Sequence, residues 1–201
     1  SQTQGIEGSP YDLDNNERTF SEEEQKNIYR IWAFVSEKFY AFKVNVTTDE
    51  EAYNRAGPQN RSRMVVAKDM NGVLGNSGGV AYLNSYGNSR LDTGWAVLDH
   101  ATRNPSGFAK VLAHEAGHQL GLSHDGNIGG SANQNANYYH GISSLSWAPI
   151  MGGDKTKKTH QWNQGNYPNA NNQQDDVKVI AGYLGYRPSD YFDYPTIENG
   201  K

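Results

Sequence analysis

Ala113-His114-Glu115-Ala116-Gly117-His118-Gln119-Leu120-Gly121-Leu122-Ser123-His124-Asp125 is the stretch on which the reading of this chain turns. His114 and His118 stand four apart, so on a helix both imidazoles leave one face about a turn apart. Two nitrogens placed that way can grip one metal ion at ~2.0–2.1 Å. Glu115 is rotated by about 100° around the same helix. It cannot easily join them as a ligand, but it can reach a water bound to the metal, where a general base belongs. A tetrahedral catalytic site needs a third protein ligand. His124 can supply it only if the helix ends and the chain doubles back, and Gly121 stands where that left-handed turn is needed.

The helix carrying this segment is predicted to begin after Asn104-Pro105, or at Ser106, and to run to about Leu120, with Pro at its start and Gly121 at its stop. Upstream, Ser21 and Glu24 have capping-box spacing. Behind them Ile28, Ile31, Trp32, Val35 and Phe39 recur every three or four residues, which predicts a helix covering a sheet. Lys43–Thr47, Arg63–Lys68, Val80–Leu83 and Trp95–Asp99 read as strands. Strands interleaved with long helices indicate an α/β layer structure. Residues 122–172 are rich in Gly, Asn, Ser and Gln, an irregular length that is unusual unless it lines a site. Within it, 131–137 and 163–174 read as solvated loops. A last helix is predicted from about Gln173 to Tyr183, with Val177, Ile180, Ala181 and Leu184 on its apolar side.

The composition narrows the chemistry. The chain has 201 residues, 18 Lys+Arg against 22 Asp+Glu, and no cysteine. Zero cysteine excludes disulfide frameworks, zinc ribbons, iron–sulfur sites and cysteine nucleophiles, so any metal must be held by His, Asp, Glu or backbone oxygen. A net charge of −4 with scattered lysines argues against a nucleic-acid surface, and no apolar run is long enough for a membrane span.

His114-Glu115-x-x-His118-x-x-Gly121-x-x-His124 resembles the zinc signature of the metzincin endopeptidases, and Asp125 directly after it is similar to the adamalysin, or reprolysin-like, branch. Ser146-Trp147-Ala148-Pro149-Ile150-Met151-Gly152, with Met151 27 residues past His124, fits the methionine turn that metzincins carry beneath the metal. The specific likeness spans about residues 114–152 and looks most like secreted bacterial members of the group. It implies a mixed α/β (α+β) fold: a twisted sheet with two long helices in an upper lobe (about 1–121), and an irregular lower lobe with a C-terminal helix (about 122–187). An extended tail (188–201) then completes a single catalytic domain. It further implies a zinc-dependent endopeptidase in which Glu115 is the general base toward a zinc-bound water, and in which protein or peptide substrates pair with an exposed edge strand. Gly79, Val80, Ala81 and Tyr82 are the candidates for that strand, an ordinary edge strand being the alternative reading. On the same resemblance Asp125 would lie buried behind the third ligand, bonding backbone amides that position the methionine turn. Gly153, not tyrosine, stands two residues after Met151, so the extra tyrosine ligand of astacins and serralysins is not available there, and three protein ligands plus water are expected.

Weaker signals remain. Asp12, Asp14, Asn16 and Glu23 follow a calcium-loop register but lack its glycine, and Asp175 and Asp176 with Asn171 and Asn172 could hold a structural calcium. Helix capping and solvated acid are the plainer explanations for both. His100, His140 and His160 lack ligand spacing. A secreted, monomeric protein is expected. The rival readings are a catalytically silent metzincin-like adhesion module, against which retention of Glu115 speaks, and a hydrolase acting on something other than protein.

Overall fold

The computed structural model describes residues 8–70, 77–97, 104–128 and 137–188. The predicted strand end at Asp99, His100, most of 131–137 and nearly all of the expected tail lie outside them.

Four strands form the main sheet: β1 (Ser9–Pro10), β2 (Arg63–Asp69), β3 (Gly79–Val80) and β4 (Thr93–Val97), in the order β1-β2-β4-β3. The central pair β2/β4 is parallel, while β1 and β3 are antiparallel to their neighbours, so the sheet is mixed and β3 is an edge. The β3 strand is shorter than expected. Ala81 and Tyr82 leave the ladder because the chain turns down onto the end of the active-site helix, where Asn84 N donates to His118 O and Tyr86 N to Gln119 O.

Helix α1 (Glu22–Lys38) starts with the expected capping box: Ser21 Oγ accepts from Glu24 N, and Glu24 Oε2 accepts from Ser21 N at 2.7 Å. Glu24 is buried and also accepts from Leu13 N, which pins the N-terminal segment to the helix. Helix α2 (Glu50–Arg55), capped by Asp49, is too short for periodicity to announce it. Helix α3 (Pro105–Gln119) is capped by Asn104. It lies between two cores, which is why most of its residues are buried. Above it, Ile31 of α1 meets Phe108, Ala109 and Leu112 together with Ala96 of the sheet; below it, Phe39, Leu120, Leu122, Ile150, Met151 and Ile180 close a second cluster. The α1 helix thus packs chiefly on α3 and reaches the sheet only through that shared cluster.

Lys43–Thr47 is extended but joins no sheet. Its backbone is satisfied by the chain after the last helix, with Lys43 N donating to Gly185 O and Arg187 Nη2 to Val44 O. Past Gly121 the described residues are irregular except for a 3-10 turn (Ser143–Leu145), two short parallel strands, β5 (Trp147–Pro149) and β6 (Thr159–Gln161), and helix α4 (Asp176–Leu184).

Candidate metal centre

Helix α3 stops at Leu120 in a Schellman turn: Leu122 N donates to Gly117 O and Gly121 N to His118 O, with Gly121 at φ +88°. This reversal carries His124 back across the helix face that bears His114 and His118. One ring nitrogen from each of the three lies within 4.8 Å of the others. His118 Nε2 and His124 Nε2 face each other at 2.9 Å.

The opposite ring nitrogens are already committed. His114 Nδ1 donates to Ile150 O at 2.9 Å and His118 Nδ1 to Leu122 O at 2.7 Å, which fixes the tautomer and aims each Nε2 lone pair inward. Burial lowers the pKa of all three, His114 well below its ordinary value and His124 to about 4. Neutral imidazole is the metal-binding form. Three convergent neutral nitrogens on a preset backbone are a donor set that fits zinc, with room for a further ligand.

Glu115 is 6% exposed and sits against the edge strand, where a Cβ built on Gly79 would lie 2.7 Å from its Oε1. Desolvation pushes its carboxyl up to about 8, opposed by the charge of Lys110. Lys110, one turn ahead of His114, is buried and donates to Gly152 O; burial lowers its ammonium to about 8. It ties α3 to the turn beneath the triad. A dication held by the histidines would draw the Glu115 pKa back down.

That turn runs from Pro149 to Gly152, closed by Gly152 N to Pro149 O, and Met151 is fully buried. Its Sδ lies so close to α3 that a Cβ on Gly117 would stand 2.7 Å away. Asp125 is 1% exposed, as expected, but it reaches the turn through its backbone, Asp125 N donating to Met151 O at 3.0 Å. Its side chain accepts from Asn163 Nδ2 instead. Asn163 in turn donates its N–H to Asp176 Oδ2 at the start of α4. Burial raises Asp125 to about 6 and Asp176 to about 7, and Asp176 Oδ1 has no hydrogen-bond partner.

The Asn/Gln-rich stretch 163–174 is not the solvated loop that its composition suggests. Asn171 Oδ1 accepts from Gly126 N, Gln174 Oε1 from Ser123 N, and Gln174 Nε2 donates to Gly121 O. Side-chain amides here satisfy the backbone of the third-ligand turn, which has no ladder of its own.

Neither calcium expectation is supported. The carboxylates that converge near the N-terminus are Asp12, Asp14 and Glu24, not Glu23. Their oxygens are engaged by Leu13, Asp14, Asn16 and Ser21 N–H groups and by the Lys68 ammonium at 2.9 Å. At the other site Asp175 caps α4 by accepting from Lys178 N, while Asn171 and Asn172 serve the third-ligand turn. His160 is a buried core residue bonded to Asp154 O, and His140 stands beside Gly153.

One residue at the centre escapes sequence reasoning. Tyr138 places its hydroxyl 3.3 Å from His124 Nε2, with ring centroids 4.4 Å apart. Nothing in its spacing from the histidines marks it.

A mixed sheet over a helix with the His-Glu-x-x-His pattern, a glycine reversal to a third histidine and a buried methionine turn defines a metallopeptidase of the metzincin type. The family model for metallo-peptidase family M12B, reprolysin-like, matches residues 10–125, more than half of the chain, and the chain belongs to that family. No curated protein matches it. Membership makes the protein a zinc-dependent peptidase at family level, acting on protein or peptide substrates. No helix among the described residues is long and apolar enough to cross a membrane.

Proposed function

We propose that the protein is a zinc endopeptidase in which His114, His118 and His124 hold the ion and Glu115 is the general base. The observation that carries this is the inward convergence of the three imidazoles, two of them fixed through Nδ1 to backbone carbonyls, beside a desolvated carboxylate on the same helix.

Zinc, when bound there, supplies a Lewis acid that polarises the scissile carbonyl and lowers the pKa of its water toward neutral. Glu115 accepts a proton from the attacking water at its carboxylate and passes it to the departing amine nitrogen. Its burial serves both halves of that transfer, because desolvation raises the carboxylate's proton affinity while the bound dication lowers it, leaving a group that can take a proton and release it again. Met151 forms the apolar floor under the imidazoles, and the Gly121 turn holds His124 in place. The free edge of β3, at Gly79 and Val80, runs beside Glu115 and suits backbone pairing with an extended peptide. Ala81 and Tyr82 follow as the rim of that cleft.

The test is hydrolysis of casein and of an internally quenched peptide library by the zinc-loaded protein, with and without a chelator. Cleavage should vanish on chelation and return with zinc. Glu115→Ala should bind stoichiometric zinc and lose about 10³-fold or more in kcat, on the scale general acid–base groups contribute. Wild-type protein with one zinc and no cleavage of any peptide would overturn the endopeptidase reading in favour of a silent binding module.

A further inference from the structure

The zinc signature accounts for three protein donors, yet a fourth side chain stands beside the inward-facing nitrogen of the third of them. Tyr138 Oη stands 3.3 Å from His124 Nε2, the nitrogen that faces His118 Nε2. That is long for a hydroxyl hydrogen bond, whose O–H···O form runs about 2.5–3.0 Å. Two donors bound to one ion at about 2.1 Å each stand about 3.0 Å apart across a right angle and about 3.6 Å apart across 120°, the angles of a five-coordinate site that keeps a position for water. The Tyr138–His124 separation falls within the range of two donors to a shared ion.

We propose that Tyr138 is a fourth protein donor to the ion held by the three histidines. Its phenolic oxygen coordinates the metal as a phenolate, and the phenolic proton passes to solvent. This rests on the metal-centre reading above.

The placement of Tyr138 follows from its neighbours. Tyr139 N donates to Asp125 O at 2.6 Å, and Gly153 N donates to Tyr139 O at 3.0 Å, so the segment is clamped between the third-ligand turn and the methionine turn. The Tyr139 ring stacks flat on Tyr167, 4.1 Å between centroids. With Tyr139 facing that side, Tyr138 turns toward the triad. Gly153 completes the argument. A Cβ there would lie 3.0 Å from Tyr138 Cβ and 3.0 Å from His140 Cε1. The position two residues after Met151 is thus kept bare where the Tyr138 side chain passes, so a phenol comes to the site from the loop before the methionine turn and not from the residues after it.

The experiment uses apo protein reloaded with one equivalent of copper(II) and, separately, zinc titrated against a chromophoric chelator. Wild type should show a phenolate-to-copper charge-transfer band in the visible. Tyr138→Phe should lose that band, keep one bound copper with its weaker ligand-field absorption, and bind zinc about tenfold or more weakly, since even residues outside the coordination sphere are worth about 10–100-fold in metal affinity. Gly153→Ala, which crowds Tyr138 and His140 without touching any of the three histidines of the centre, should weaken the same band, and it carries the test if Tyr138→Phe does not fold. Stoichiometric metal binding by wild type with no phenolate band, or with identical zinc affinity in Tyr138→Phe, overturns the proposal and leaves the three-histidine centre standing. Failure of wild type to bind either metal brings down both.

Discussion

Gly79→Ala separates a structural reading of the edge strand from a substrate-pairing one. A Cβ at Gly79 would meet Glu115 Oε1 at 2.7 Å, Glu115 Cγ at 2.8 Å and Trp95 O at 2.9 Å. The Trp95 carbonyl belongs to β4 and cannot yield without disturbing the β3/β4 ladder, which pairs Gly79 with Ala96 and Val80 with Trp95. Glu115 must therefore give most of the way, with the remaining strain falling on the ladder at Trp95 O. To reach ordinary contact at 3.4 Å its carboxylate has to retreat by about 0.7 Å, the difference between 3.4 and the 2.7 Å contact. Overpacking of this kind costs about 1–3 kcal/mol. Replacing glycine returns about 0.4–1 kcal/mol through the unfolded chain. The net loss is about 1–2 kcal/mol, or about 2–8 °C in Tm for a protein of this size. The effect on turnover is larger: a misplacement of about 1 Å can cost about 100-fold, so kcat should fall by about 10–100-fold. The added methyl points at Glu115 and away from the free edge, so KM should change little, and zinc content should stay at one because no histidine is touched. Steady-state kinetics on a quenched peptide, a thermal melt and metal analysis together check this. A variant with kcat within twofold of wild type, or with a raised KM and intact kcat, would refute the argument that Gly79 exists to seat Glu115.

Two further substitutions probe the scaffold. Gly121→Ala forces a Cβ into φ +88° and within 2.5 Å of Asn84 Oδ1. The left-handed conformation alone costs about 1–2 kcal/mol, so the melt should drop by several degrees and zinc affinity should fall with it as His124 is displaced; an unchanged chelator titration would count against the turn as the positioner of His124. Asp176→Asn removes a buried carboxyl whose pKa is raised to about 7. A raised acid destabilises the fold as pH climbs from the unfolded value of 3.8 through about 7, so wild type carries that penalty in full at pH 8 and almost none at pH 4. The difference of about three pH units sets an upper bound near 4 kcal/mol. The variant should melt several degrees above wild type at pH 8 and level with it at pH 4; a lower Tm at pH 8 would refute the assignment.

What the sequence discloses is what is local along it. The α1 start is written in Ser21 and Glu24, three residues apart, and the ends of α3 in Pro105 and Gly121. The convergence of a third histidine is legible too, because the reversal that delivers His124 is a single-residue event at Gly121. The contacts left unread run between segments far apart. Asn163 reaches Asp125 across 38 positions and Gln174 reaches Gly121 across 53. In composition these amides look like a wet loop, since an Asn that solvates itself and an Asn that solvates buried backbone are the same residue. Tyr138 is invisible for a related reason: its direction is set by the backbone bonds of Tyr139, whose partners, Asp125 and Gly153, lie on either side of it in the chain. Lys43–Thr47 shows the converse error, since alternation marks an extended chain but not whether a sheet is there to receive it.

The boundary of the family match sharpens this. It ends at Asp125, so it contains all three histidines and Glu115 but none of what orients them from below. His114 takes its tautomer from Ile150 O, Asp125 is fixed by Met151 O, and Gly126 and Ser123 are held by Asn171 and Gln174. Buried Lys110 binds the helix to Gly152 O from the same side. The signature therefore specifies which atoms can meet a metal and, through Leu122 O and the Gly121 turn, part of their aim, while the chain after it supplies the rest. Partners of this outer kind are worth about 10–100-fold in metal affinity. In this protein they are drawn from an irregular segment whose backbone is satisfied in part by side-chain amides. The residues best placed to individualise the centre, Tyr138 and Gly153, belong to that second half. Any chemistry peculiar to this chain is accordingly to be sought after His124, even though the motif that classifies it is complete there.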